Sequence, residues 1–361
     1  MYAKFFTMPD GNTSFQNLFL FATDQIFYYE YAENNSYSGT FELRIAFKKE
    51  WVKALKINGV ITIDGDWLWV TNIHYDGKTI DLSGMDCKGF LSLRVAVPSD
   101  SGVTGTEGYD EAEGSTANCI KHYLDRNLIA PADSERKIPL IWQANTAGLE
   151  RDSYMAKYES VENIVRTLCD NAGIGYSVVG RLAYSNFLFR LRAGTDRSAN
   201  QSDRPRVIFC SDRGNVLSIE YEHDISNYFN SFYQEGYGRV RRSGEKNISG
   251  IALRETSVSV NTDSMSDVEA YVLCQVEENV ETHTYDLNVA NSSGYGEKYF
   301  LGDIVTVRDI YTSNYFRAVI TCVTKTYSSG QRNIKITLGK QKPKLLNRII
   351  NNMINGTIQR R

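Results

Sequence analysis

The chain has 361 residues, 42% hydrophobic and 23% charged, with a formal net charge of −3. This is a globular composition, long enough for two or three domains and a sizeable core. The near-neutral balance gives no electrostatic basis for a dedicated nucleic-acid or membrane-surface binder. Six cysteines, at 87, 119, 169, 210, 274 and 322, stand far apart with no C-x-x-C pair. That is the pattern of reduced, mostly buried thiols, not of a disulfide framework. The apolar stretch after Lys4 is cut short by Pro9-Asp10, so no secretory leader is expected, and no apolar run approaches the ~18 residues that would span a bilayer. The chain is expected to fold in a reducing cytoplasm. Tyr (23) outnumbers Phe (16) and β-branched residues are plentiful, which favours strands.

Residues 14–90 read as an all-β module. Phe27, Tyr29 and Tyr31 are predicted to share one strand face beside Tyr28 and Glu30, with a turn at Asn34-Asn35-Ser36. Phe41, Leu43, Ile45 and Phe47 alternate with Glu42, Arg44 and Ala46, a half-buried strand. Trp51–Leu55 is expected to form a short helical turn into Asn58-Gly59. Gly59–Ile63, Trp67–Tyr75, the Asp76-Gly77 turn and Thr79–Gly84 then make a meander.

The character changes after Pro98. Asp100–Gly114 is rich in Gly, Ser, Thr and acids and reads as a mobile loop. Its Glu107, Asp110, Glu111 and Glu113 lack the spacing of a calcium loop and are expected to be solvated. Ser115 is predicted to cap a helix to about Leu128 that buries Ala117, Ile120, Tyr123, Leu124 and Leu128. Ser160 is predicted to cap another to Asn171, with Val161, Ile164, Val165 and Leu168 inward and Gly173 at the left-handed stop. Strands at Tyr176–Val179 and Phe187–Leu191 make this middle section α+β.

From Arg206 the chain turns β again, with Val207-Ile208-Phe209, Gly214-Asn215 and Val216–Tyr221. Residues 239–255 carry Arg239, Arg241, Arg242, Lys246 and Arg254, without aromatic stacking partners and with acids flanking. A solvated loop is expected there rather than a nucleic-acid arm. Ser266-Asp267-Val268-Glu269 is a capping box for a helix to about Val280. Tyr299–Gly339 is a second meander: Gly302-Asp303 turns into one strand, Phe316–Tyr327 is the next, and Ser329-Gly330 marks the hairpin to Asn333–Leu338. Its order echoes Gly59–Gly84. After Pro343 an amphipathic helix over about Lys344–Ile354, with Leu346, Ile349, Ile350 and Met353, is expected either to pack on its own β module or to contact another subunit.

No H-E-x-x-H, G-x-S-x-G, P-loop or G-x-G-x-x-G occurs. The four histidines (74, 122, 223, 283) have no second histidine at metal-ligand spacing, and His122 reads as a surface or boundary residue. Carboxylates are abundant, but no pair stands out as a glycosidase couple. Trp67 and Trp69 lie two apart on one strand face, where core packing is expected over a sugar-stacking platform. No catalytic, cofactor-binding or metal-ligating residues are assigned, and no enzyme activity or cofactor is expected.

The order of the pieces resembles the tail-tip and baseplate hub proteins of long-tailed phages, including the N-terminal structural part of tail-associated lysins and the hub of contractile tails. The resemblance rests on Phe41–Ile45, Gly59–Ile63, and Ile80–Gly84 leading to Leu91–Arg94. It rests also on Val207–Ser211 with Gly214-Asn215-Val216, Asn230-Ser231-Phe232, Leu253-Arg254-Glu255 and Leu301–Val305. It implies a mainly β chain with an α+β middle domain and two similar antiparallel β-barrels. The barrels would occupy 1–90 and 206–238 plus 299–342, the middle domain 91–205, an insertion packing with it 239–298, and the terminal helix 343–361. It also implies a homotrimer at the virion tail tip, with pseudo-six-fold symmetry. Such a trimer would be assembled in the bacterial host cytoplasm. Its partners would be a hexameric distal tail or tail-tube protein, receptor-binding or fibre proteins and the tape-measure protein, with DNA only in transit and no membrane span. The rival expectation from the 12% aromatic content is a carbohydrate-binding or carbohydrate-cleaving β protein.

Overall fold

A computed structural model describes residues 2–7, 16–98, 109–143, 151–234, 238–241, 248–258, 281–290, 294–308 and 315–339. The capping-box helix expected from Ser266 and the amphipathic helix after Pro343 lie outside the described residues. The chain divides into one compact unit of Met1–Ile219 with Asp286–Leu338 and a second of Glu220–Tyr285 with Gly339–Arg361.

The first unit begins with β1 (Ala3–Thr7), β2 (Gln16–Phe21), β3 (Ile26–Asn34), β4 (Thr40–Ala46), helix α1 (Lys49–Ala54), β5 (Val60–Ile63), β6 (Asp66–Tyr75) and β7 (Thr79–Asp86). All of their mutual pairings are antiparallel. β4 follows the alternation of its sequence: Phe41, Leu43 and Ile45 are buried and their neighbours are not. With Ala3, Phe5, Ile61, Ile63 and Leu82 they form one apolar core. Each turn of the meander has a local cause. Asp64 and Gly65 both have positive φ between β5 and β6, the conformation of a tight hairpin turn. Between β6 and β7 the Asp76 carboxylate accepts from the amides of Lys78 and Thr79, both at 2.9 Å. Phe27 departs from expectation. A bulge between Ile26 and Tyr28 shifts the register against β4, so Ile26, Tyr29 and Tyr31 are buried while Phe27 is exposed. One extra residue moves a side chain to the other face.

The middle section adds a 3-10 stretch Cys87–Leu93, β8 (Asp110–Ser115), α2 (Thr116–Leu124), a π-helical turn Asp125–Ile129, β9 (Leu140–Gln143), β10 (Arg151–Ala156), α3 (Val161–Asn171), β11 (Ile174–Arg181) and β12 (Asn186–Ala193). β8 pairs antiparallel with β10, and β12 lies between antiparallel β11 and parallel β9. The helix residues named from periodicity are all fully buried. They share a core with Val60, Trp69, Cys87 and Phe90, so the middle section is built onto the first module. The two caps differ. The Ser115 side chain accepts from the Asn118 amide, whereas Ser160 makes no side-chain cap bond. The loop expected over Asp100–Gly114 is corrected at its end, where Asp110–Gly114 is strand.

The remainder contains β13 (Ile208–Phe209), β14 (Val216–Asp224), β15 (Ser231–Gln234), β16 (Gly238–Arg241), β17 (Glu255–Val258), β18 (Thr282–Val289), β19 (Ile304–Arg308), β20 (Tyr315–Ser328) and β21 (Gln331–Gly339). β19, β20 and β21 form the expected antiparallel meander, turned by Ser329 and Gly330, both at positive φ. In the second unit β15 pairs with β16 and β17, and Arg239 meets Glu255 at 2.9 Å. Arg239 and Arg241 therefore sit on a strand, and the loop expected over 239–255 is corrected there. The two meanders join within one sheet. β20 pairs antiparallel with β3, from Cys322 opposite Asn34 to Ser328 opposite Tyr28.

Candidate functional site

Beside the β3–β20 seam of the first unit lies a cluster of buried and part-buried charged side chains. Lys325 on β20 reaches Asp66 at 2.6 Å and Glu33 at 3.4 Å, and Arg192 on β12 meets the other oxygen of Glu33 at 3.4 Å. Beside them Asp86 accepts from the Tyr31 hydroxyl at 2.9 Å and from the amides of Gly39 and Lys88, both at 3.0 Å. The Lys88 ammonium lies 3.4 Å from Asp86 and also donates to the Asn34 carbonyl. Tyr31, Glu33, Asp66, Asp86, Lys88 and Arg192 line a cleft of about 240 Å³.

Burial alone would push Glu33 up, but Lys325, Lys88 and Arg192 overcome it and hold the carboxyl below its usual range. Asp66 goes the other way. Burial pushes it up to about 6 against the pull of Lys325. Glu33 is thus the ionised partner of Lys325, and Asp66 is the last of the two to lose its proton. Burial likewise raises Asp86 despite Lys88, and raises the Tyr31 hydroxyl. These groups bind one another. Lys325, Glu33 and Arg192 come from the C-terminal meander, the first module and the middle section, so the arrangement is chemically a lock across three parts of one unit.

A second lock explains the Gly302-Asp303 motif. The nearly buried Asp303 carboxylate accepts from the Thr195 amide (2.8 Å), the Phe300 amide (3.0 Å) and the Arg197 guanidinium (2.8 Å). Gly302 has φ +92°, and a Cβ on Gly194 would fall 1.8 Å from the Gly302 carbonyl oxygen. Two glycines are needed for this close backbone approach.

The histidines divide into three cases. His74 is exposed, 3.7 Å from Asp81. His122 lies 2.7 Å from Asp110 and Arg126 lies 2.9 Å from the same oxygen, and Asp110 is fully buried. The solvated acid expected at 110 is therefore a core carboxylate held by two partners. In the second unit His223 and His283 stack at 4.2 Å with Glu281 beside both. The isolation inferred from sequence spacing is overturned by strand pairing. Trp67 and Trp69 pack inward, as expected. Trp69 contacts Phe90 and Trp67 contacts Phe187 at centroid distances of 5.3 and 6.4 Å. Five cysteines are buried free thiols, and Cys274 lies outside the described residues. Among the described residues no helix is long and apolar enough to cross a membrane.

Sequence reasoning missed Glu33, Asp66, Lys325 and Arg192. The one local signal was a lysine in mid-strand among Val323, Thr324, Thr326 and Tyr327.

This mainly β fold is shared with phage tail proteins. The 43 kDa tail protein of prophage MuSo2 from Shewanella oneidensis superposes with TM-score 0.54 at 12% identity, over 94% of this chain and 97% of its own. A tail protein from Neisseria meningitidis MC58 gives 0.53 at 12% over 94% and 96%, and prophage tail protein gp18 from Listeria monocytogenes EGD-e gives 0.52 at 11% over 98% and 99%. No curated protein matches the sequence. Residues 20–243 match the family model of the Siphovirus ReqiPepy6 Gp37-like proteins, and the chain belongs to that family.

Proposed function

We infer that this phage tail protein is a hub: a homotrimer that closes the end of the tail tube in the virion. It would join a hexameric tail-tube or distal tail protein to receptor-binding or fibre proteins, contact the tape-measure protein, and open for DNA. The observation that carries this reading is likeness to tail proteins over nearly the whole length of both chains. The two meanders support it. Two similar barrels per chain, at 1–90 and 206–238 plus 299–342, would give a trimer six barrels in a ring, matching a six-fold partner on one face and a three-fold partner on the other. The edge pairing of β3 with β20 supplies a pattern that a ring could repeat between chains, hiding strand edges.

The role requires no catalytic step. The charged groups described above are engaged with each other.

Native mass spectrometry of the purified chain, alone and with its tube protein, tests the assembly. Three copies against six are expected, and a particle with one copy per tail overturns the reading. Incubation with peptidoglycan and polysaccharides should release no soluble fragments. Release that is abolished by a single carboxylate-to-alanine substitution would sink the non-enzymatic part.

A further inference from the structure

Side chains alternate along strands, so Tyr221 and His223 leave one face of β14, and Glu281, His283 and Tyr285 leave one face at β18 and the residue before it. Their contacts set the register. Tyr221 stacks on Tyr285 at 4.7 Å and His223 on His283 at 4.2 Å, so the two strands run in opposite directions. His223 Nε2 lies 3.0 Å from one Glu281 oxygen and His283 Nε2 lies 3.8 Å from the other. The three ligand atoms all fall within 4.8 Å of one another. The far nitrogen of His283, Nδ1, is 2.8 Å from the Tyr221 hydroxyl oxygen.

We propose that His223, His283 and Glu281 bind a divalent cation of the zinc class, clamping β14 to β18 in the second unit. Three observations carry this. First, the donor set is two imidazoles and a carboxylate, which suits zinc and its transition-metal neighbours; calcium and magnesium take oxygen. Second, Tyr221 supplies the outer partner that metal-bound histidines ordinarily have. With Nδ1–H donating to the tyrosine oxygen, the Nε2 lone pair is left facing Glu281. Third, the closure is small. Bonds of about 2.1 Å place tetrahedral ligands roughly 3.4 Å apart, and the three side chains, 42%, 48% and 52% exposed, can rotate that far without disturbing the core. Water would complete the coordination.

The test uses the full chain stripped with a chelator. Zinc is titrated by calorimetry and cobalt by its visible absorption bands. One metal per chain is expected, with tetrahedral cobalt bands and a raised melting temperature. Binding should weaken at least ~10-fold in His223→Ala and His283→Ala and about tenfold in Tyr221→Phe, and should be unchanged in His74→Ala. Circular dichroism first confirms that each variant is folded. If an alanine variant unfolds, Glu281→Gln and His223→Gln replace it, since they keep size and hydrogen bonding. No zinc binding by the wild-type chain, or binding undiminished by the double histidine variant, overturns the proposal and leaves a surface ion pair.

Discussion

Asp303 shows how much one carboxylate can hold. It satisfies two backbone amides and a guanidinium in a nearly dry setting. Asp303→Ala is expected to cost about 3 kcal/mol or more in urea unfolding, because three donors lose their acceptor together, and Asp303→Asn about half as much. Asp66 gives a pH prediction. Its folded pKa of about 6 exceeds the unfolded value near 3.9. The folded state therefore binds this proton more tightly, and the residue's contribution to stability rises as pH falls from 7 through 6 and levels off below about 4. Between pH 7 and pH 5 the wild type should gain on the order of 1 kcal/mol relative to Asp66→Asn, read from paired denaturation curves. Equal pH profiles for the two proteins would refute the assignment. The turn at Gly302-Asp303 is legible in the sequence because glycine and aspartate announce turns. Its partners Thr195 and Arg197 are not, since they lie over a hundred residues away.

The same divide runs through the elements. Helices α2 and α3 are legible because a 3.6-residue period sorts their apolar faces without reference to anything else in the chain. Their caps are less so: Ser115 makes the bond its position suggests and Ser160 does not. Ser115→Ala should cost about 1 kcal/mol and Ser160→Ala close to nothing. Thermal unfolding of the two variants checks this, and equal losses would contradict it. The strand at Asp110 is not legible in the sequence because four acids in a glycine-rich stretch look solvated. Only packing shows that His122 and Arg126 come down on one of them from α2 and the turn after it. The histidine pair was missed for a related reason. Positions 223 and 283 become neighbours only once two strands are known to pair.

At the scale of the molecule, the seam between β3 and β20 makes the first module depend on the end of the chain. A fragment of residues 1–205 lacks β20, so it exposes the β3 edge and leaves Glu33 and Asp66 without Lys325. It is expected to aggregate when expressed alone and to stay soluble when co-expressed with residues 206–361. Solubility of the lone fragment, with native-like spectra, would show that the seam is dispensable. The two meanders are legible in the sequence, but their joining is not, because nothing local to either says what its edge will meet. The seam also sets a clock. Asn34 and Cys322 face each other across almost three hundred residues of sequence. At bacterial synthesis rates of about 5–20 residues per second, β3 waits on the order of tens of seconds for its partner strand to leave the ribosome. During that interval the β3 edge lacks the strand that covers it in the folded chain, and an unpaired edge is prone to pair with other strands. Closure of the β3 edge is therefore a late event in synthesis, gated by the emergence of residues 315–328.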